Sequence, residues 1–367
     1  MRVALDVSSA IDPRPSGVAR YIHGLVEGLA TRDDLDLTLL CRSSRWRRGD
    51  PREVFPPALL PHAPLVRWYD WRALRGFDLV HAPDLRLPRR PASPLVVTVH
   101  DLSALDREDH ATARFVEKKR AHLARVATHA SRVITHTKVV RLDLAERAGL
   151  PLDQVDCVPL WPALPRSERS ELAPADRSGL LLVGGPSPRK GSDRITEFLS
   201  RYDRAVAPST NTEKREAVAW CGSASDAEAR QFFAALPEET RTRIEWLGHV
   251  EDNELDRRLS SARAFVQLSG TEGFGIPLLE SAVRRCPVIV YRSETAEEVL
   301  PRSGAFWIGG ADEETELAAF ADREERERRV ECAARHADTL THEHTIDRTV
   351  SVYRDAISRA RASVSVG

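Results

Sequence analysis

The sequence predicts an α/β protein built from two doubly wound parallel sheets in tandem. Three observations predict it. Short apolar runs alternate with amphipathic helical patterns almost throughout, as βαβ units require. At 367 residues the chain is too long for one ordinary core and suits two domains. A stretch rich in Pro, Ser and charge, 161–177, separates two such series and reads as a linker. The expected domains are 1–165 and 166–346.

Taken in order, the first series opens with strand 2–8, a loop Ser9–Gly17 and a helix from Val18 to Ala30. Leu37–Cys41 is the next strand, and 42–75 is loop-rich and basic, with Arg42, Arg45, Arg47 and Arg48 around Trp46. Asp78–His81 and Leu95–His100 are apolar enough for buried strands. A helix over His110–His129, strand Arg132–Thr135, helix Lys138–Ala148 and strand Val155–Leu160 complete the series. The second begins at Leu180–Gly185. It continues with strand Ala217–Cys221, helix Ser225–Leu236, strand Ile244–Leu247, helix Glu254–Ala262 and strand Ala264–Leu268. Strands Pro287–Tyr291 and Phe306–Ile308 and helices over 313–336 and 345–362 close the chain.

Composition narrows the function. A formal net charge of −1 argues against bulk nucleic-acid binding. The halves differ, with 25 Lys+Arg against 20 Asp+Glu in 1–165 and 29 against 35 in the remainder. Different partners for the two domains fit this asymmetry. Five scattered cysteines without a CxxC pair read as buried free thiols in a reducing compartment. No apolar run reaches the ~18 residues of a membrane span, and no cleavable signal is evident. The expectation is a cytosolic protein; peripheral contact at the inner membrane face through the basic first domain, including Lys118, Lys119, Arg120 and Arg125, is the alternative to a merely solvated basic face. Asp34-Leu35-Asp36 spells a metal-type DxD but leads into a strand after a helix, where solvated acids are usual, and His342-Glu343-His344 has no third ligand in sight; no metal is expected.

The densest chemistry lies in Ser269–Ser281, SGTEGFGIPLLES. Gly273 and Gly275 allow positive φ and close backbone approach, and Pro277 suits the first turn of a helix. The free N–H groups and positive dipole end of that helix favour phosphate or sugar oxygens. Glu280, one turn in, leans back toward this end, and Glu272 lies on the loop. Free amides together with two carboxylates, which accept from hydroxyls, suit a nucleotide sugar.

Six pieces match a known family in order and spacing: SGVARY (16–21), FDLVHAPD (77–84), VVTVHDLS (96–103), LLVGGPSPRKG (181–191), WLGHVEDNEL (246–255) and EGFGIPLLE (272–280). With these the chain resembles the family-4 glycosyltransferases of the GT-B fold, in which two Rossmann-like domains flank a cleft. The resemblance implies that Glu280 holds ribose hydroxyls and Glu272 faces the transferred sugar. Amides of Gly273, Phe274, Gly275 and Ile276 would surround sugar and phosphates. It implies diphosphate neutralisation by Arg189 and Lys190 beside Gly184. His249 and Val250 would contact the base through their backbone. From the first domain, His100 would face the sugar and Gly17 would admit backbone amides to the phosphates. It further implies a retaining, metal-independent transfer of a hexose, of mannose or rhamnose type, from a nucleoside-diphosphate sugar. The acceptor would be a glycan, glycolipid or small molecule. The final helix, 347–367, would return to the first domain. A sugar-nucleotide epimerase and a non-catalytic nucleotide-sugar binder are the alternatives.

Overall fold

Strands whose two faces are both covered by helices have no polar face to show, so they read as continuous apolar runs. A computed structural model, which describes residues 1–11, 16–46, 50–68, 76–85, 93–105, 113–165, 177–206 and 215–365, places these runs in two sheets. The chain folds as two compact units, Met1–Leu160 with Thr341–Gly367, and Trp161–Leu340.

The first unit contains β1 (Arg2–Asp6), α1 (Gly17–Ala30), β2 (Asp36–Arg42), a single turn α2 (Ser43–Trp46) and β3 (Leu65–Trp68). It continues with β4 (Leu79–Ala82), β5 (Leu95–Thr98), α3 (Ala113–His129), β6 (Arg132–Thr135), α4 (Lys138–Ala148) and β7 (Val155–Cys157). The sheet order is β3-β2-β1-β4-β5-β6-β7, all parallel. Order reverses beside β1, and ligands of such sheets bind beyond the carboxyl ends of the strands. Ser16 caps α1 by accepting from the Ala19 amide at 3.3 Å.

The second unit contains β8 (Leu180–Val183), α5 (Ile195–Val206), β9 (Val218–Cys221), α6 (Asp226–Ala234), α7 (Glu238–Arg241), β10 (Ile244–Gly248), α8 (Asp252–Ser261) and β11 (Ala264–Gln267). After these come α9 (Ile276–Val283), β12 (Val288–Tyr291), α10 (Glu294–Val299), β13 (Phe306–Ile308), α11 (Glu313–Ala321) and α12 (Arg323–Ala337). The parallel order is β10-β9-β8-β11-β12-β13. The last helix, α13 (His342–Ser365), belongs to the first unit. There Thr345 donates to the Pro159 carbonyl at 2.8 Å, and Ile346, Val350, Tyr353 and Ala356 are buried.

Several expectations are corrected. The loop-rich reading of 42–75 missed β3, an edge strand of four residues. The helix α5 was missed although Ile195, Phe198, Leu199, Tyr202 and Val206 are buried at helical spacing. The single helix over 313–336 is two, because Asp322 ends α11 and its side chain caps α12 by accepting from the Glu325 amide at 2.9 Å. Positions 12–15, Arg47, Arg48, 110–112 and 166–176 lie outside the described residues. All five cysteines are free; Cys41, Cys221 and Cys286 are buried, and Cys157 and Cys332 half-buried. Among the described residues no helix is long and apolar enough to cross a membrane.

Candidate active site

In the second unit the loops after β8 and β11 bring together residues far apart in sequence. β8 ends at Val183, and Gly184 follows at φ 128°, where a Cβ would sit 3.3 Å from the Lys190 side-chain carbons. The chain then turns through Pro188–Lys190 and leaves through Gly191 at φ 70°. A Cβ on Gly191 would sit 2.0 Å from the Leu268 carbonyl oxygen, so this turn is pressed against the end of β11. The approach carries Lys190 to the loop after β11. Its Nζ donates to Glu272 Oε1 at 2.6 Å, and Arg189 Nη1 lies 3.8 Å from Glu272 Oε2. Thr295, on α10, donates to the Glu272 carbonyl at 3.0 Å and fixes the loop from the other side.

The loop then enters α9. Gly275 is the N-cap at φ 83°, which only glycine adopts without strain, and Ile276 and Pro277 begin the helix. Gly273 was expected to need the same freedom, but positive φ is confined to Gly275 of this pair. Gly273 and Phe274 are buried, and Ile276 is half-buried. Glu280, one turn into α9, is only 1% exposed. A carboxylate removed from water near a helix N-terminus gains from the dipole there. Four residues on, the buried Arg284 donates to the Glu280 carbonyl at 2.9 Å, to Asp256 Oδ1 at 2.6 Å and to the Leu164 and Pro165 carbonyls at 3.1 and 2.9 Å. That hub fastens the helix carrying Glu280 to α8. His249 and Val250 follow Gly248 at the end of β10, and the Gly248 carbonyl accepts from the Gly222 amide at 2.8 Å. His249 is exposed and Val250 half-buried.

In the first unit, His100 follows β5. Its Nε2 meets the Pro83 carbonyl at 2.9 Å and its Nδ1 meets His136 Nε2 at 3.0 Å. Gly17 is the first residue of α1 rather than part of the loop before it. One turn later Tyr21 reaches the same histidines, edge-on to His100 at 5.1 Å and to His136 at 4.9 Å. The Tyr21 hydroxyl meets Thr98 Oγ1 at 3.2 Å, and burial pushes its phenol well up. Thr98 also meets His81 Nε2 at 2.9 Å, and His81 Nδ1 meets the Tyr353 hydroxyl at 2.6 Å. Burial, together with the charge of His100, pushes His81 down to about 3. Sequence reading missed this chain of polar groups. Its signal was present: His81 in β4 and Thr98 in β5, both inside buried strand runs, and a histidine directly after β6 are unusual in an apolar core.

The two acidic and histidine motifs have other partners. Asp34 pairs with Arg32 at 2.9 Å and Arg354 at 2.5 Å, which ties the β2 approach to α13. His342 Nε2 meets the Gly24 carbonyl at 2.8 Å. Trp46 lies beneath the Arg67 guanidinium, 4.9 Å from the ring centroid.

Comparison with known proteins decides the family. Residues 15–161 match the model for glycosyltransferase family 4, and residues 166–323 match the model for group 1 glycosyl transferases. The chain belongs to the family-4 glycosyltransferases. As a glycosyltransferase of the GT-B fold, it superposes on sucrose-phosphate synthase from Thermosynechococcus elongatus. The TM-score is 0.72 at 16% identity, covering 98% of this chain and 100% of that one. It also superposes on HepE from Anabaena in complex with UDP-glucose, with TM-score 0.66 at 16% identity, covering 96% and 99%. In sequence it is 27% identical over 246 residues to the O-antigen chain mannosyltransferase B of Escherichia coli. That match covers 63% of this glycosyltransferase and 62% of the relative's length.

Proposed function

We propose that this glycosyltransferase is a retaining, metal-independent enzyme that moves a hexose from a nucleoside-diphosphate sugar to a glycan, glycolipid or small-molecule acceptor. The observation that carries the reading is the Lys190–Glu272 contact at 2.6 Å, with Arg189 beside it. Two cations and a carboxylate are gathered on loops next to a helix N-terminus that starts at Gly275. A diphosphate competes with Glu272 for Lys190. Once it takes the ammonium, the Glu272 carboxylate is released to accept hydrogen bonds from the hydroxyls of the transferred sugar. Glu280 serves the ribose hydroxyls, and amides from Gly273 to Ile276 serve sugar and phosphate oxygens. The backbone of His249 and Val250 serves the base. His100 and Gly17, in the first unit, are assigned to the sugar and the phosphates.

Negative charge grows on the diphosphate as the glycosidic bond breaks. Fixed cations therefore bind the transition state more tightly than the ground state, and that difference is catalysis. The departing diphosphate takes the acceptor proton on the face it leaves, so the anomeric configuration is kept without a protein nucleophile. The paired acid and base of a glycoside hydrolase is not needed. The mannose-type donor is supported by the O-antigen mannosyltransferase match, and a uridine donor by the likeness to HepE with UDP-glucose.

A thermal-shift screen of UDP-, GDP-, ADP- and dTDP-sugars identifies the donor, since a ligand bound only by the folded state raises apparent stability. Anomeric analysis of the product by NMR then checks retention, and activity in excess chelator checks metal independence. An inverted product or complete loss of activity with chelator refutes the corresponding part.

A further inference from the structure

The carbonyl contacts of His100 and His136 assign the tautomers of the two rings. The Pro83 carbonyl, which carries no hydrogen, lies 2.9 Å from His100 Nε2, so that nitrogen bears one. The Val158 carbonyl lies 3.0 Å from His136 Nδ1, so that nitrogen bears a second. The remaining nitrogens, His136 Nε2 and His100 Nδ1, face each other at 3.0 Å. In two neutral rings with those tautomers both would present lone pairs, which repel at that distance. A third hydrogen between them turns the repulsion into a charge-assisted bond. We propose that His100 and His136 form one proton-sharing unit whose singly protonated state is the arrangement seen, and that His136 is the positioning residue controlling when a ring nitrogen of His100 is free.

The surroundings make this a switch. Burial opposes the charge: it pushes His100 down and His136 well down, and His81 and Lys119 act in the same direction. The Pro83 carbonyl, Asp84 and Asp101 push His100 back up, and the Val158 carbonyl does so for His136. Asp84 is an anion here. Burial pushes its carboxyl up, but the Ser9 hydroxyl, Lys119 and the Leu85 amide together hold it below the ordinary range. Tyr21, from α1, contacts both rings and stays neutral. Tyr353, from α13, engages His81 rather than the pair. The shared proton is therefore lost with a midpoint at or below the ordinary imidazole value of about 6.5. When it leaves, the two lone pairs repel and one ring turns. Either His136 swings away and exposes His100 Nδ1, or His100 swings away and releases its Nε2–H. Both outcomes free a nitrogen of His100, which in the protonated state is engaged on both sides. The catalytic consequence rests on the proposed meeting of His100 with the donor sugar; the proton sharing does not.

The test is histidine side-chain 15N–1H NMR on the full chain, labelled at histidine, from about pH 4 to pH 8. His100 and His136 are expected to titrate in one common step. In His136→Leu, whose side chain can neither donate to nor accept from His100 Nδ1, the His100 midpoint is expected to fall by about one pH unit or more. The acid limb of donor turnover should move with it. Independent steps for the two rings overturn the proposal. So do two rings held as fixed neutral tautomers across the range, or a His100 midpoint unmoved by the substitution. If the variant does not fold, the wild-type titration alone decides. Because NMR needs no donor, a common step with no turnover by any nucleotide sugar would refute the proposed function and leave the proton sharing intact.

Discussion

Lys190 and Glu272 are each other's counter-ion, and the consequence is measurable at single residues. Lys190→Ala removes a charge-assisted bond of about 1.5–3 kcal/mol. If the ammonium binds the diphosphate in the transition state, kcat/KM for donor turnover should fall about 10- to 150-fold. Glu272→Ala should lower it as well. The double variant should lose more than the sum, because the Lys190–Glu272 contact must break when the donor binds and each single substitution already relieves that cost. Strictly additive losses would mean that the contact is not broken on donor binding. His81 gives the second residue-scale prediction. Its folded-state pKa of about 3 lies below that of an exposed imidazole. The unfolded chain therefore binds the extra proton between about pH 3 and pH 6.5. The stability contributed by neutral His81 is complete above about pH 6.5 and is lost as pH falls toward 3. Thermal melts of His81→Gln should accordingly vary less with pH across this window than those of the wild type. Parallel curves would contradict the assignment.

Among elements, the turn Pro188–Lys190 and the helix α9 matter most, and they were unequally legible in the sequence. The Gly-Pro punctuation of EGFGIPLLE marked the start of α9, and apolar runs marked most strands. The strand β3 was not legible, since its edge position leaves Val66 41% exposed and removes the apolar signature of a buried strand. The helix α5 carried the signal, but it follows the turn so closely that the glycines drew the reading. The site loops were legible as motifs. The contact of Lys190 with Glu272 was not, because it depends on how two loops 82 positions apart approach one another. In the His81–Thr98–Tyr21 chain the polar residues stood out, but their contacts did not, since its members come from separate strands and a helix. Two predictions belong here. Gly191→Ala meets both a left-handed φ and a carbonyl 2.0 Å away, so unit 2 should lose about 1–3 kcal/mol by denaturant titration. Arg284→Ala removes the guanidinium from the buried Asp256 carboxylate and should cost about 3–5 kcal/mol. An unchanged midpoint for either would show that the site tolerates rearrangement.

For the whole molecule, the charged and polar clusters fall in different units. The second holds the cations, the two glutamates and the helix N-terminus, while the first holds the histidine network. The last element, α13, completes the first unit. Its Tyr353, Val350, Ile346 and Ala356 are buried there, so a chain ending before Thr341 should lose cooperative unfolding of the first unit. The central claim is that this family-4 glycosyltransferase uses a nucleoside-diphosphate sugar held by Lys190 and Glu280. Release of free nucleotide from UDP-, GDP-, ADP- and dTDP-sugars, by the wild type and by Lys190→Ala and Glu280→Ala, tests it most directly. Release is expected from at least one donor, and both substitutions should abolish or strongly reduce it. Folded protein that neither binds nor cleaves any of these donors, or release unaffected by either substitution, would contradict it.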